Sequence, residues 1–310
     1  MAKRLHNSGF TNWTPNSLNS LDGKIFIVTG GNAGIGFEAA KILSASGAKT
    51  VIAARNMDKA MAAAQAVADS GAIKPDVLEL DLADTEIIRR SADEVRQRFP
   101  VIHALINNAG IMQTPKTITR DGFELQLATN HLGHFLFTGL LFDIIEQASG
   151  RIVTISSIAH HYGRIQFDDL MLTRNYSPTR AYCQSKLANL IFAIELQRRL
   201  DACNSRVISV ACHPGYSATS LQSTGPSALL KLLYKPTNAL LAQSAYNGAI
   251  PTVLAAAGNE ARPGGYYGPQ SMRETRGRVG DARVSDAALN KEIGVRLWRE
   301  SERLVGHEWL

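Results

Sequence analysis

Cysteine is scarce. The 310 residues hold three, Cys183, Cys203 and Cys212, and no two are spaced as a pair. An odd, sparse set excludes a disulfide framework and suits a reducing compartment. Without a CxxC pair or a Cys/His cluster, no zinc site is signalled and no metal is expected. Long apolar runs are also missing: none approaches the roughly 20 residues that a membrane helix needs. The opening stretch MAKRLHNSGFTNWTPNS is polar and has no hydrophobic segment of signal-peptide length. The expectation is a cytoplasmic chain with no transmembrane segment. Charge blocks are absent too. Lys and Arg exceed Asp and Glu, giving a formal charge of +6, but they are scattered. This balance favours anionic ligands in general, and with no aromatic-and-basic module, nucleic acid is not an expected partner.

What is present is apolar material in an alternating order. At 45% hydrophobic residues the chain can fill one large α/β core. Val- and Ile-rich runs predict strands at Lys24–Thr29, Thr50–Ala54, Val77–Leu80, Ala104–Ile106, Arg151–Ile155 and Arg206–Ala211, with Gly264–Tyr267 a candidate seventh. Helical patterns fall between them at Phe37–Ser46, Asp58–Asp69, Gly122–Glu146 and Ala181–Leu200. Such alternation implies an α/β fold with a doubly wound parallel sheet. Gly and Pro never cluster into a linker. The reading is therefore an arm over residues 1–20 and a single domain over 21–310. Within that domain, Tyr216–Gly248 is a candidate C-terminal substrate flap, and Asp286–Leu304 an amphipathic helix on the outside.

Thr29-Gly30-Gly31-Asn32-Ala33-Gly34-Ile35-Gly36 joins the first strand to the first helix. Glycines there permit tight backbone geometry and close approach of a pyrophosphate, whose charge the helix N-terminus stabilises. Dinucleotide folds that prefer NAD place a carboxylate about 20 positions further on, against the ribose 2′-hydroxyl. Here the second strand ends Ala53-Ala54-Arg55. Arg55 suits a 2′-phosphate, so the cofactor expected is NADP(H).

Tyr182 and Lys186 stand four residues apart, on one face of a helix. A phenol, with a pKa of about 10, is a poor base near neutrality, and a neighbouring ammonium brings it toward the working range. The fifth strand ends at Ser156-Ser157 and the fourth at Asn107-Asn108-Ala109-Gly110, where carboxyl ends of parallel strands face a ligand crevice. A serine there can donate a hydrogen bond to a substrate oxygen.

TGGNAGIG, NNAG, the Ser157/Tyr182/Lys186 set and the His213-Pro214-Gly215 segment, in this order, resemble the short-chain dehydrogenase/reductase family over about Leu21–Gly268. Ala53-Ala54-Arg55, the Asn130–Phe135 segment and Ala181–Asn189 are most similar to its retinol-dehydrogenase-like members, near the WW-domain oxidoreductase. The resemblance implies a Rossmann fold and residue roles. Tyr182 would be the general acid/base, Lys186 its pKa modulator and the holder of the nicotinamide ribose, and Ser157 the group that polarises the carbonyl. Asn130 would bend the central helix and hold a water in a proton path. Asp81 and Leu82 would lie beside the adenine, with Asn108, Ala109 and Gly110 lining the same crevice. Pro214, Gly215 and Thr219 would orient the nicotinamide amide. Some members pair through the two long helices, so a homo-oligomer is a further expectation.

Twenty-five positions separate Ser157 from Tyr182, and the extra Ala159–Thr179 segment borders the expected pocket. His160, His161 and Tyr162 either touch substrate or lie on a surface loop. Leu229, Leu230, Leu232, Leu233 and Tyr234 either form an apolar lid or pack on the protein or on another subunit. The function these readings point to is interconversion of a carbonyl and an alcohol on a small, lipophilic molecule. Two others share the residues: reduction of a carbon–carbon double bond, as in protochlorophyllide reductases, and a non-catalytic NADP(H)-binding regulator. A saturated product would mark the first, and cofactor binding without turnover the second.

Overall fold

The computed structural model describes residues 3–10, 12–216 and 243–310. Strands β1 (Lys3–Arg4), β2 (Ile25–Thr29), β3 (Lys49–Ala54), β4 (Asp76–Glu79) and β5 (Ala104–Asn107) are followed by β6 (Arg151–Ile155), β7 (Ile208–Cys212), β8 (Tyr266–Ser271), β9 (Arg276–Asp281) and β10 (Arg283–Val284). Eight of them form one sheet in the order β4-β3-β2-β5-β6-β7-β8-β9. All neighbours are parallel except β8 and β9. The strand order reverses direction between β2 and β5, and that switch point is where an open sheet of this kind opens a crevice at its carboxyl edge. The single domain is thus an α/β, Rossmann-like sheet with helices on both faces.

Helices α1 (Gly34–Ala45), α2 (Met57–Asp69) and α3 (Thr85–Arg98) follow the first strands in turn. A short α4 (Leu125–Leu127), a π-helical turn (Ala128–Leu132) and α5 (Gly133–Gln147) make one continuous rod, and α6 (Pro178–Ala202), α7 (Ala245–Ala257), α8 (Asp286–Leu289) and α9 (Lys291–Val305) are the remaining α-helices among the described residues. Side chains alternate along each strand, so the sheet has two apolar faces. Ile27, Leu105 and Ile152 meet Ile88, Val95, Phe135 and Leu136 on the α3–α5 side. Phe26, Val28, Ile106 and Val153 meet Ala39, Leu43 and Val253 on the α1–α7 side. Burial on both faces explains why these strands read as continuous apolar runs.

Three expectations change. Helix α3 was not anticipated; its apolar stripe is only Ile88, Ala92 and Val95, and Asp84 caps it by accepting the amides of Glu86 and Ile87. The seventh strand extends from Tyr266 to Ser271 and turns back as antiparallel β9, whose sequence RGRVGD has little strand propensity and forms against β8. Of the flap expected over Tyr216–Gly248, residues 217–242, with Thr219 and Leu229–Tyr234, lie outside the described residues, and 245–248 form the first turn of α7. The outer amphipathic helix is two pieces parted at Asn290, and it buries Leu297 and Trp298 against the long helices. Near the N-terminus, Lys3 pairs with Val284, Ser8 donates to both oxygens of Asp281, and Trp13 is buried. Among the described residues, no helix is long and apolar enough to cross a membrane.

Candidate active site

The glycine turn is held from below by Thr29, the last residue of β2. Its Oγ1 accepts the amides of Asn108 and Ala109, each at 2.9 Å, and its carbonyl accepts Asn108 Nδ2 at 2.7 Å. This draws the ends of β2 and β5 together so closely that no side chain fits between them. A Cβ on Gly30, where φ is +65°, would stand 2.9 Å from Ala109 Cα, and one on Gly36 would collide with Asn108 Nδ2. Helices α2, α3 and α6 have side-chain caps from Asn56, Asp84 and Ser177, whereas Ala33 gives α1 none. The first-turn amides of α1 and the bare backbone of Gly30–Gly36, flanked by Asn32 and Ile35, form a cradle that fits an anionic pyrophosphate.

Arg55 emerges at the carboxyl end of β3 with its side chain 77% exposed, so its fork of donors is open to a ligand. Its Nη1 lies 3.9 Å from Asp81 Oδ2 across the next strand, and the other carboxylate oxygen, Oδ1, accepts the Ala83 amide. Leu82 backs directly onto the rod, where a Cβ on Gly133 would collide with its carbonyl. These residues bound one side of the crevice.

The other side is built on Lys186. Its ammonium is buried, donates to the Ile155 carbonyl at 3.1 Å, and stands 6.0 Å from the centre of the Tyr182 ring. Burial pushes its pKa down to about 8. Asn130 lies in the π turn with every side-chain group engaged: Oδ1 accepts the Ile111 amide, and Nδ2 donates to the Ile111 carbonyl and to Ser185 Oγ. Gly110 fits between them, since a Cβ there would lie 3.2 Å from Asn130 Oδ1 and 3.5 Å from Lys186 Nζ. The bend expected at Asn130 is thus a widened helical turn, tied to the strand-end loop by its own side chain.

Ser156 and Ser157 differ in what they do. Ser156 Oγ donates to the Lys186 carbonyl and so joins β6 to α6, whereas Ser157 is half-buried at the crevice and accepts the Ala159 amide. His160 is buried behind it: Nδ1 donates to the Ser157 carbonyl at 2.7 Å, and Nε2 accepts the Ser285 amide. His161 lies against His160 with ring centres 3.9 Å apart and planes tilted by 37°, while Tyr162 is 84% exposed. Pro214 and Gly215 follow β7, with Gly215 at φ +67°.

Thr29, His134 and Glu274 carry no role that the sequence alone assigns. His134 Nε2 lies 2.8 Å from Thr29 Oγ1, and Nδ1 lies 3.0 Å from the Asn130 carbonyl. Nδ1 faces a carbonyl and so carries the ring proton, which leaves Nε2 bare to accept from the Thr29 hydroxyl. His134 thus joins the glycine turn to the π turn. The recurring His in Asn130-His131-Leu132-Gly133-His134 was the available signal. Glu274 left none, standing in an Arg-rich stretch that reads as surface.

The model of the short chain dehydrogenase family matches residues 24–228. Human retinol dehydrogenase 12 is 39% identical over 292 residues, covering 93% of this chain and 88% of that protein. Human retinol dehydrogenase 13 is also 39% identical, over 299 residues, with coverage of 93% and 86%. A solved structure of an uncharacterised protein from Mycobacterium paratuberculosis is similar at TM-score 0.82 and 38% identity, covering 97% of this chain and 100% of that one.

Proposed function

The chain belongs to the short chain dehydrogenase family of oxidoreductases, and from that premise we propose that it interconverts a carbonyl and an alcohol with NADP(H), using Tyr182 as general acid and base. The observation that carries this reading is the seating of Lys186. It is a buried ammonium one helical turn from Tyr182, hydrogen-bonded to the strand residue two before Ser157. A nicotinamide cofactor, when bound, would supply the hydride to the substrate carbon, or accept it in the reverse direction. Tyr182 gives its phenolic proton to the substrate oxygen on reduction and recovers one on oxidation. Ser157 Oγ would donate a hydrogen bond to the same oxygen, and Lys186 would favour the phenolate and hold the ribose. Asn130 keeps the Gly110–Ile111 loop against Lys186.

Gly30, Asn32, Gly34, Ile35 and Gly36 would hold the pyrophosphate, Asp81, Leu82 and the Asn108–Gly110 loop the adenosine side, and Pro214 and Gly215 the carboxamide. Arg55, open at the end of β3, would take the 2′-phosphate. The names of the retinol dehydrogenases at 39% identity support a lipophilic substrate. Three free cysteines, Cys183, Cys203 and Cys212, fit a cytoplasmic setting.

NADPH oxidation followed over a panel of lipophilic aldehydes and ketones tests the reading. Tyr182→Phe should lower turnover about a hundredfold or more while NADPH still binds. Arg55→Ala should weaken NADPH about tenfold and leave NADH unchanged. Turnover that survives Tyr182→Phe overturns the mechanism, and equal affinity for the two cofactors overturns the assignment of Arg55.

A further inference from the structure

Glu274 is a carboxylate only 4% exposed, in the turn between β8 and β9. It is the last of three successive residues in left-handed backbone, with Met272 at φ 48°, Arg273 at 55° and Glu274 at 68°. Side-chain-bearing residues adopt that region at a cost, and remain there only when the surroundings over-determine them. The turn delivers the carboxylate to the interior. Glu274 Oε1 accepts the Arg283 amide at 3.0 Å, and Oε2 stands 3.5 Å from Nε2 of His213. His213 is fully buried, its ring lying so close to Gly268 that a Cβ there would collide with Nε2.

The ring has a defined proton position. His213 Nδ1 accepts the amide of Gly215 at 3.2 Å, so Nδ1 is bare and the proton is on Nε2. Nε2 makes no hydrogen bond of ordinary geometry, which leaves the facing carboxylate as the group that favours a proton there. The same turn also touches the segment directly. The Thr275 carbonyl accepts the Tyr216 amide at 2.7 Å, and a Cβ on Gly215 would collide with it.

We propose that Glu274 and His213 are a positioning pair: the carboxylate holds the imidazole in its Nε2–H tautomer, Nδ1 then accepts from Gly215, and Pro214–Gly215 is thereby set for the nicotinamide half of the cofactor. This rests on the NADP(H) site proposed above. The β8–β9 hairpin is then part of the cofactor site, although none of its side chains need touch the cofactor.

A double-mutant cycle separates positioning from simple support of the fold. In His213→Asn, the side-chain oxygen can accept the amide two residues on and needs no tautomer partner. Dissociation constants are measured for NADP+ and for 2′,5′-ADP, which has only the adenosine half, and imidazole 15N NMR reports the tautomer. Glu274→Ala should weaken NADP+ about tenfold in the native background, leave 2′,5′-ADP unchanged, and cost less than about twofold beside His213→Asn. Glu274→Gln, which keeps the shape and one acceptor, should fall between and serves if the alanine variant does not fold. Equal losses in both backgrounds, parallel loss of the two ligands, or an Nδ1–H signal in the native protein would overturn the pairing. A native protein that binds neither ligand overturns the cofactor site instead, and the pairing's purpose with it.

Discussion

Burying Lys186 comes at a cost to the fold. Desolvation pushes its pKa from the usual 10.5 down to about 8. Between those values the unfolded chain binds a proton that the folded chain does not, so stability rises with pH across the window and is lowest below about pH 8. The shift corresponds to about 3 kcal/mol at neutral pH. Lys186→Met should therefore abolish turnover and yet raise stability by about 2–3 kcal/mol at pH 7. Its advantage in urea unfolding should fade as pH rises through 8 and be gone above about 10.5. The Ile155 carbonyl would not be orphaned, because Asn189 Nδ2 also donates to it. A variant no more stable than its parent at pH 7 would mean that the lysine's desolvation is already offset. Thr29 behaves in the opposite sense. Thr29→Val keeps the volume but removes the acceptor for two amides and the donor to His134, and should cost about 2–4 kcal/mol in thermal unfolding.

At the scale of elements, the C-terminal helix does more than cover a surface. α9 ends at Gly306, whose left-handed φ of 60° turns the chain back over the long helices. Trp309 then lands on Trp298 and Phe135, with ring centres 4.8 and 5.5 Å apart, beside Gly139, where a Cβ would lie 2.8 Å from the indole. Because Phe135 belongs to α5, this aromatic cluster also supports the rod that carries Asn130. Trp309→Ala should lower stability by about 2–3 kcal/mol, less than for a fully enclosed tryptophan because Trp309 is partly exposed. The check is denaturant unfolding with an unchanged m-value; no measurable loss would show the tail to be an ornament.

Across the whole molecule, three buried histidines fasten distant segments while uncharged. His131 meets Ser301 of α9, His134 meets Thr29 of β2, and His160 meets Ser157 and Ser285. Burial holds their pKa values at about 4, 3 and 3. Above about pH 6.5 folded and unfolded states are equally neutral at these sites. As pH falls below 6.5, the unfolded chain takes up protons first, so stability is lost progressively toward pH 3–4, at up to about 4 kcal/mol per pH unit. Calorimetric unfolding at pH 5.5, in buffers of different ionisation heat, should register uptake of about three protons from these histidines, to which His103 and His161, also lowered by burial, add. Uptake near zero would mean that the folded protein already carries those charges.

The glycine turn, the Asn107–Gly110 loop and the Tyr182–Lys186 pair were legible in the sequence because each is a local pattern. Its meaning depends on a strand end or a single helical turn, and the alternating apolar runs supply the sheet that brings them to one edge. The chain's own order of residues therefore determined the fold class and the core of the candidate site. Tertiary structure decided what depends on distance along the chain. α3 has too narrow an apolar stripe to announce itself, and β9 exists only because β8 offers it a hydrogen-bonding edge. Glu274 reads as one more charge in a basic surface stretch until the hairpin buries it beside His213, 61 positions earlier. A carboxylate's role is set by the partner it meets out of water, and no local pattern encodes that partner.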